Sequence, residues 1–193
     1  MLILASTSAA RQAMLRQAGL DFAAIPSGVD EAALKQGFSG TSEELALALA
    51  AAKARAVAAA HPGALVLGAD QLLVCESAVF DKPADLAEVA VHLRRLSGRA
   101  HQLVTAACVV RGGEVAWSHV ERATLNVREL SDAFIARYLA AEGEEVLGCV
   151  GAYRLEGLGA QLFTRVEGDY FTILGLSLLP LLGFLRGAGA LAA

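Results

Sequence analysis

The chain has 193 residues, of which 55% are hydrophobic and 19% charged, and it carries a formal net charge of -4 at pH 7. This length suits one domain with a single core, and the negative charge argues against binding of duplex nucleic acid through a broad basic face. The longest apolar run, residues 173–185, is shorter than the about 20 residues that cross a membrane. We expect a buried terminal helix there and no membrane partner.

The cysteines give no sign of a disulfide framework. Cys75, Cys108 and Cys149 fit neither a disulfide set nor a Cys-x-x-Cys metal pattern. The first residues lack the charged and then apolar segments of a secretory signal. Together these features predict a cytoplasmic protein with reduced thiols.

The first twenty residues place hydroxyl groups and a cation where a strand meets a helix. An apolar strand, Leu2–Ala5, is followed by Ser6, Thr7 and Ser8, and then by a helix that carries Arg11. Unpaired backbone N–H groups and the positive end of the helix dipole favour anions at such a point, which makes it a candidate phosphate cradle. The alternative is an ordinary N-cap formed by a hydroxyl group.

The later elements alternate between helix and strand in the first half of the chain and are rich in strands in the middle. A short second strand is predicted from Phe22 to Ile25 and on to Val29, with Asp30 and Glu31 just past its end. The remaining predictions are a helix from the capping box Thr41/Glu44 to Ala60, a strand over 64–68, a helix from the capping box Asp85/Glu88 to Leu96, a hairpin of 102–111 and 114–127, a helix from Ser131 to Gly143 and a strand over 160–166. This order predicts an α/β fold with a mixed, strongly twisted sheet flanked by helices.

Asp70 is the strongest candidate for chemistry. It follows the apolar run 64–68, and a carboxylate just past a buried strand opens into the crevice where α/β proteins place ligands. A buried carboxylate needs a metal, a cation or backbone donors as partners. The alternative is that Asp70 only caps the turn that follows the strand.

Charged residues on other elements complete a set suited to a phosphoanhydride. The cations are Arg11, Lys53 and Lys82, and Asp30 and Glu31 supply a second metal ligand beside Asp70. Such a set can hold Mg²⁺ or Mn²⁺, neutralise phosphate oxygens and activate water. Singly, each of these residues can also be an ordinary solvated charge. The chain has no Walker loop, dinucleotide fingerprint or nucleophile elbow.

Short motifs that follow one another in order carry a family resemblance. They are Leu4–Ser8 with Arg11, Val29–Glu31, Lys53-Ala54, Gly68–Asp70, Lys82-Pro83, Leu96–Arg99 with His101, Gly151–Tyr153, Gly168–Tyr170 and Gly175-Leu176. With these motifs the chain resembles, over nearly its whole length, the Maf family of nucleoside triphosphate pyrophosphatases. Members of this family convert a nucleoside triphosphate to the monophosphate and pyrophosphate.

The resemblance implies a role for each candidate residue. Asp70 would be the general base. The other implied roles are catalytic cations for Lys53 and Lys82, triphosphate binding for Ser6, Ser8 and Arg11, and a divalent metal site for Glu31 with Asp70. It also implies one Maf-like (ITPase-like) domain over residues 1–193 with a central cleft, and commonly a homodimer.

The departures from the family pattern bear on base specificity. Ala9 and Ala10 stand where the family usually has a proline and an arginine or aromatic residue. Gln71, Gly148-Cys149 and Glu156 are similar to members that prefer 7-methyl-GTP, and a carboxylate such as Glu156 can accept from guanine N–H groups and complements a cationic base. Against this preference, Ala10 replaces a tryptophan that could stack on that base, a contact of about 0.5 to 2 kcal/mol.

Other functions remain open at this point. One is a pyrimidine (dTTP/UTP) pyrophosphatase, and another is a catalytically weak, nucleotide-binding regulatory protein, against which the retained Glu31, Lys53, Asp70 and Lys82 argue. A third is an interaction protein that docks a partner through its apolar C-terminal segment. Nucleotides would not raise the thermal stability of such a protein.

Overall fold

The structure is a computed structural model that describes residues 1–192. Its strands are β1 (Leu2–Leu4), β2 (Phe22–Ala24), β3 (Leu65–Cys75), β4 (Ala78–Phe80), β5 (Ala100–Arg111), β6 (Glu114–Val127) and β7 (Phe163–Glu167). Its helices are α1 (Ala9–Gln17), α2 (Glu31–Gln36), α3 (Ser42–Ala58), α4 (Leu86–Leu96), α5 (Asp132–Glu142), α6 (Tyr170–Ile173) and α7 (Leu178–Gly187). Two 3₁₀ segments cover Gly143–Gly148 and Leu158–Leu162.

The strands form one mixed sheet. Their order is β2-β1-β3-β5-β6-β7, and β4 pairs with β3. Strand β1 runs parallel to both β2 and β3, whereas β3–β4 and β6–β7 are antiparallel pairs. The prediction of an α/β fold with a mixed sheet and flanking helices is confirmed.

The contacts divide the chain into two compact units. Unit 1 holds residues 1–71, 104–121 and 169–192, and unit 2 holds residues 72–103 and 122–168. Strands β3, β5 and β6 contribute residues to both units. The single domain predicted over residues 1–193 stays a prediction.

The two faces of β3 have different neighbours in unit 1. Leu65, Leu67 and Ala69 belong to an apolar cluster with residues of α1 and α7. Because side chains alternate along a strand, Gly68 and Asp70 face the opposite way, and there they meet α3. The register of β3 therefore places Leu65, Leu67 and Ala69 on one face of the sheet and its single carboxylate on the other.

Capping residues set the helix starts that the sequence predicts. Ser8 begins α1 by accepting from the backbone N–H of Arg11, and Ser131 begins α5 in the same way. Thr41 and Glu44 form the full reciprocal box at α3. At α4 only half of the predicted box is present, because the carboxylate of Glu88 accepts from the N–H of Ala84.

Two predicted positions of acidic residues are corrected. Asp70 lies inside β3 and not after it, because the apolar segment Leu72–Cys75 continues the strand and pairs with β4. The second strand ends at Ala24, and Asp30 instead N-caps α2, a helix that the sequence analysis did not predict. The side chain of Asp30 accepts from the N–H of Ala33 at 3.0 Å.

The C-terminal segments also differ from expectation. The predicted strand over 160–166 begins with a 3₁₀ segment and becomes β7 only at Phe163. The terminal apolar run forms two helices, α6 and α7, because Gly175 between them takes a φ of +100°. No helix within residues 1–192 has the length and apolar character to cross a membrane.

Candidate active site

The centre of the site in unit 1 is an ion pair between Lys53 and Asp70. The ammonium of Lys53, on α3, lies 2.5 Å from Oδ1 of Asp70, on β3. Both residues are buried, with 6% and 5% of their surfaces exposed. A buried carboxylate is costly without a partner, and of the expected partners, a metal, a cation or backbone donors, the structure shows a cation, Lys53.

Glu31 joins this pair from the first turn of α2. Its Oε1 lies 2.8 Å from the same ammonium nitrogen, and its side chain is about half exposed, at 44%. The N-cap formed by Asp30 fixes the start of α2 and thereby the direction in which Glu31 projects. The structure thus assigns the two neighbouring acids different tasks, a cap for Asp30 and a place in the site for Glu31.

Arg11 lies close to these carboxylates. Its side chain is buried, and its Nε donates to the carbonyl oxygen of Gly175 at 2.8 Å. Burial lowers the pKa of the Arg11 guanidinium, whereas the negative charges of Asp70 and Glu31 act in the opposite direction. No role was predicted for Gly175. Its position as a glycine inside an apolar run was the available sign of a special backbone conformation. Its φ is positive, and its carbonyl accepts the bond from Arg11.

The serine turn before α1 forms the N-cap of this helix. The hydroxyl of Ser8 accepts from the N–H of Arg11 at 3.4 Å, and Ser6 accepts from the N–H of Ser8 at 3.2 Å. Ser6 also accepts a longer bond from Nη1 of Arg11, at 3.5 Å. The ordinary cap and the phosphate cradle are therefore compatible, since the hydroxyls orient the helix start and the guanidinium together. Ala10 is exposed on the first turn of α1.

Gln71 has an anchoring function in unit 1. Its side-chain nitrogen donates to Oγ1 of Thr105 at 2.9 Å and to the carbonyls of Thr172 and Ile173 at 3.0 and 3.1 Å. These bonds tie α6 to the sheet, and the fully buried Thr105 adds its own bond to the Thr172 carbonyl. The signal for this network was a threonine inside the apolar stretch 103–110, and no role was predicted for it.

Lys82 and Glu156 belong to unit 2. Both are exposed, and both act electrostatically on the thiol of Cys149. The positive charge of Lys82 lowers the pKa of this thiol, and the negative charge of Glu156 raises it. Burial is the main cause that raises the pKa of this thiol. Cys75, Cys108 and Cys149 are all free, as the sequence predicts. The structure therefore brings Lys82 and Glu156 into one neighbourhood around Cys149.

A second pair in unit 2 received no role from the sequence. Nε2 of His101 lies 2.6 Å from the hydroxyl oxygen of Tyr153, and Nδ1 of the same ring is buried with no hydrogen-bond partner among residues 1–192. Burial lowers the pKa of His101 to about 4 and raises that of Tyr153. Both groups are consequently neutral near pH 7. Gly151 makes room for this pair, because a β-carbon there would lie 2.2 Å from the Tyr153 ring.

The carboxylates beside Lys53 fit a divalent cation such as Mg²⁺. Glu31 and Asp70 converge on one point, and hard cations take oxygen ligands. Within residues 1–192 no group of three or more histidine, cysteine or acidic side chains is gathered for a metal. Further ligands would have to be water or phosphate oxygens, which is the usual mode of Mg²⁺.

Comparison with known proteins gives the family of this chain. A family model described as Maf-like protein matches residues 1–188. The chain belongs to the Maf family.

Relatives of this Maf protein are similar over their whole length. A nucleoside triphosphate pyrophosphatase of Granulibacter bethesdensis is 53% identical, covering 98% of each chain. A 7-methyl-GTP pyrophosphatase of Rhizobium meliloti is 54% identical, covering 99% of this chain and 98% of that one. Among solved structures, a dITP/XTP pyrophosphatase of Mycobacterium abscessus aligns at 16% identity and a TM-score of 0.41, covering 67% of this chain and 74% of that one.

Proposed function

We propose that this Maf protein hydrolyses a nucleoside triphosphate to the monophosphate and pyrophosphate with the help of a divalent metal ion. The observation that carries the proposal is the contact of the Lys53 ammonium with the carboxylates of Asp70 and Glu31. Anion-binding groups, Arg11 and the serine turn, belong to the same unit. The names of the relatives at 53 and 54% identity support the same reaction.

In the proposed reaction a water oxygen attacks the α-phosphorus. The new bond joins that oxygen to phosphorus, the bond to the bridging oxygen of the β-phosphate breaks, and pyrophosphate leaves with the bond's electron pair. Asp70 accepts the proton that the water loses, and Lys53 holds the carboxylate in place for this task. The Arg11 guanidinium binds the negatively charged phosphate oxygens, and as a fixed cation it stabilises the charge that develops there in the transition state.

Glu31 and Asp70 would hold the metal ion. Such an ion polarises phosphoryl oxygens and neutralises the charge that develops on them. Lys53 contacts both carboxylates, and its single positive charge leaves the pair with a net negative charge, so a divalent cation bound there would share the two carboxylates with the ammonium. The metal requirement is therefore tested by titrating Mg²⁺ and Mn²⁺ into an assay of pyrophosphate release.

The preferred base is part of the proposal. We expect 7-methyl-GTP to be favoured, because a relative at 54% identity is named for that substrate and Glu156 offers a carboxylate to a cationic purine. Glu156→Gln should lower kcat/KM for 7-methyl-GTP about 10-fold or more relative to GTP, since bonds to charged groups contribute about 1.5 to 3 kcal/mol. Equal losses for both nucleotides would contradict a base-reading role.

The decisive experiment measures pyrophosphate release from a panel of common triphosphates, 7-methyl-GTP and other modified nucleotides. Asp70→Asn should retain the fold, shown by an unchanged circular dichroism spectrum, and should lose turnover by a factor of about 10² or more. Asp21→Asn is the matched control, because Asp21 is exposed and outside the site. Ordinary kcat in Asp70→Asn would overturn the mechanism. Absence of release from every nucleotide would favour the binding-only alternative.

A further inference from the structure

A pocket on the far side of α3 is separate from the site around Asp70. Its volume is about 450 Å³, within the range of small-molecule sites. The apolar part of its lining comes from Phe38, Leu47, Ala48, Ala51, Cys108 and Val115. We call it the α3–β5 pocket. All of these residues belong to unit 1.

The α3–β5 pocket and the active site use opposite faces of one helix. Lys53 points toward Asp70, whereas Ala51 and Arg55, two positions away on either side, line the pocket. Residues two apart on a helix point about 200° from each other, so one side chain cannot serve both places. The pocket is consequently not a subsite of the Lys53–Asp70 centre.

Arg55 gives the pocket a positive charge. Among residues 1–192 the structure pairs its guanidinium with no carboxylate. Its charge acts on the buried thiol of Cys108, whose pKa burial raises and Arg55 lowers. An arginine without a counter-ion beside apolar walls is complementary to the anionic group of an amphipathic molecule.

Glu44 sets the opposite end of the pocket. Its carboxylate accepts from the N–H of Thr41 at 2.7 Å and from its hydroxyl at 3.1 Å, which lowers the pKa of Glu44. It precedes Arg55 by three helical turns, about 16 Å along the axis at 1.5 Å per residue. Phe38 also lies at this end, since a β-carbon on Gly40 would touch both the Phe38 ring and the Glu44 carboxylate.

We propose that the α3–β5 pocket binds a small monoanion with an apolar body, its anionic group on Arg55 and its body along Leu47, Ala48 and Ala51. A neutral molecule of the same shape leaves Arg55 without its partner. A dianion brings a second negative charge toward Glu44. The pocket should therefore prefer one negative charge at one end of an apolar chain or ring.

Calorimetric titration with decanoate, 1-decanol and decanedioate below their aggregation concentrations tests this preference in the full chain. We expect decanoate to bind at least 10-fold more tightly than the other two probes.

Arg55→Gln should weaken decanoate binding about 10-fold or more. Arg186→Gln, which changes an exposed arginine of α7, should leave it unchanged. Ala48→Phe should fill the pocket and abolish binding, with folding checked by thermal melting.

Several results would overturn the proposal. They are absence of decanoate binding, equal binding of decanol, wild-type affinity in Arg55→Gln, and displacement of decanoate by 7-methyl-GTP, which would make the pocket part of a nucleotide site. A self-association of the chain that Ala48→Phe abolishes, without decanoate binding, would identify a second copy as the occupant. If Ala48→Phe does not fold, the comparison of Arg55→Gln with Arg186→Gln still decides the matter.

Discussion

Gly68 packs against α3 so closely that a β-carbon there would lie 2.0 Å from the carbonyl oxygen of Ala50. The same β-carbon would lie 2.8 Å from the backbone nitrogen of Ala54, on the next turn. Lys53 lies between Ala50 and Ala54 in the chain. Asp70 lies two residues after Gly68, on the same face of β3. The missing side chain therefore sets the helix-to-strand distance across which Lys53 meets Asp70.

Replacing Gly68 by alanine should displace α3 from β3. Overpacking against backbone costs about 1 to 3 kcal/mol, and we expect the free energy of unfolding to fall by that amount. The shift also separates Lys53 from Asp70, so kcat for pyrophosphate release should fall about 10-fold or more. Chemical denaturation and steady-state kinetics measure the two effects.

Gly183→Ala is the matched control for this substitution. A β-carbon on Gly183 meets nothing within 4 Å, and alanine favours a helix over glycine by about 1 kcal/mol. This variant should be as stable as the wild type or slightly more so, with unchanged kcat. Wild-type stability and activity in Gly68→Ala would contradict the close approach of α3 to Gly68.

The sequence predicts much of this architecture because local signals are strong where helices begin. Ser8, Thr41 and Ser131 each satisfy a free N–H group, and such caps depend on a few neighbouring residues alone. The hairpin of β5 and β6 was predicted for a similar reason, since Gly112 and Gly113 take positive φ values in its turn. The charged residues themselves suggest grouping Lys53 and Asp70 with Asp30 and Glu31, and the family resemblance selects Glu31 of the two neighbouring acids.

Long-range contacts account for most of what the sequence did not predict. The apolar segment Leu72–Cys75 does not by itself show that β3 continues past Asp70, because this extension depends on pairing with β4 and on a cation from α3. The anchoring of α6 by Gln71 joins residues about one hundred positions apart. The predicted homodimer and the central cleft stay predictions.

Arg11→Lys tests whether the planar guanidinium is required. Arg11 donates from Nε to the Gly175 carbonyl, which leaves its two terminal nitrogens for phosphate. Lysine retains the charge, but its single nitrogen cannot serve both partners in this geometry. We expect KM for the triphosphate to rise about 10-fold with a smaller change in kcat. Arg16→Lys is the matched control on α1, where Arg16 is exposed and bonds Gln12. Equal KM values for the two variants would show that the guanidinium of Arg11 does not bind the triphosphate.

Gln71→Leu separates anchoring from base reading. The substitution leaves the carbonyl of Ile173 without its side-chain donor, and an unsatisfied buried acceptor costs about 1 to 3 kcal/mol. We expect the melting temperature to fall while the ratio of kcat/KM for 7-methyl-GTP and GTP stays within about threefold. Gln17→Leu, an exposed change on α1, is the control. A change of that ratio above about 10-fold would instead establish Gln71 as a base-reading residue.

The His101–Tyr153 pair predicts a specific dependence of stability on pH. Burial lowers the pKa of His101 to about 4 in the folded protein, below its usual value of 6.5. Between these two values the unfolded chain binds more protons than the folded one, so stability rises with pH in that interval. The contribution is fully present above about pH 6.5 and is lost as the pH falls toward about 4.

Replacing His101 by glutamine removes this proton uptake. We expect the free energy of unfolding of the wild type to fall between pH 7 and 4 by up to about 3 kcal/mol more than that of His101→Gln, because this is the free energy equivalent of the pKa difference. His61→Gln is the control, since His61 is only partly buried, follows α3 and belongs to unit 1. Urea denaturation at a series of pH values measures all three proteins. Parallel curves for the wild type and His101→Gln would show that His101 does not stay neutral in the fold, because a group with equal pKa values in both states contributes no slope.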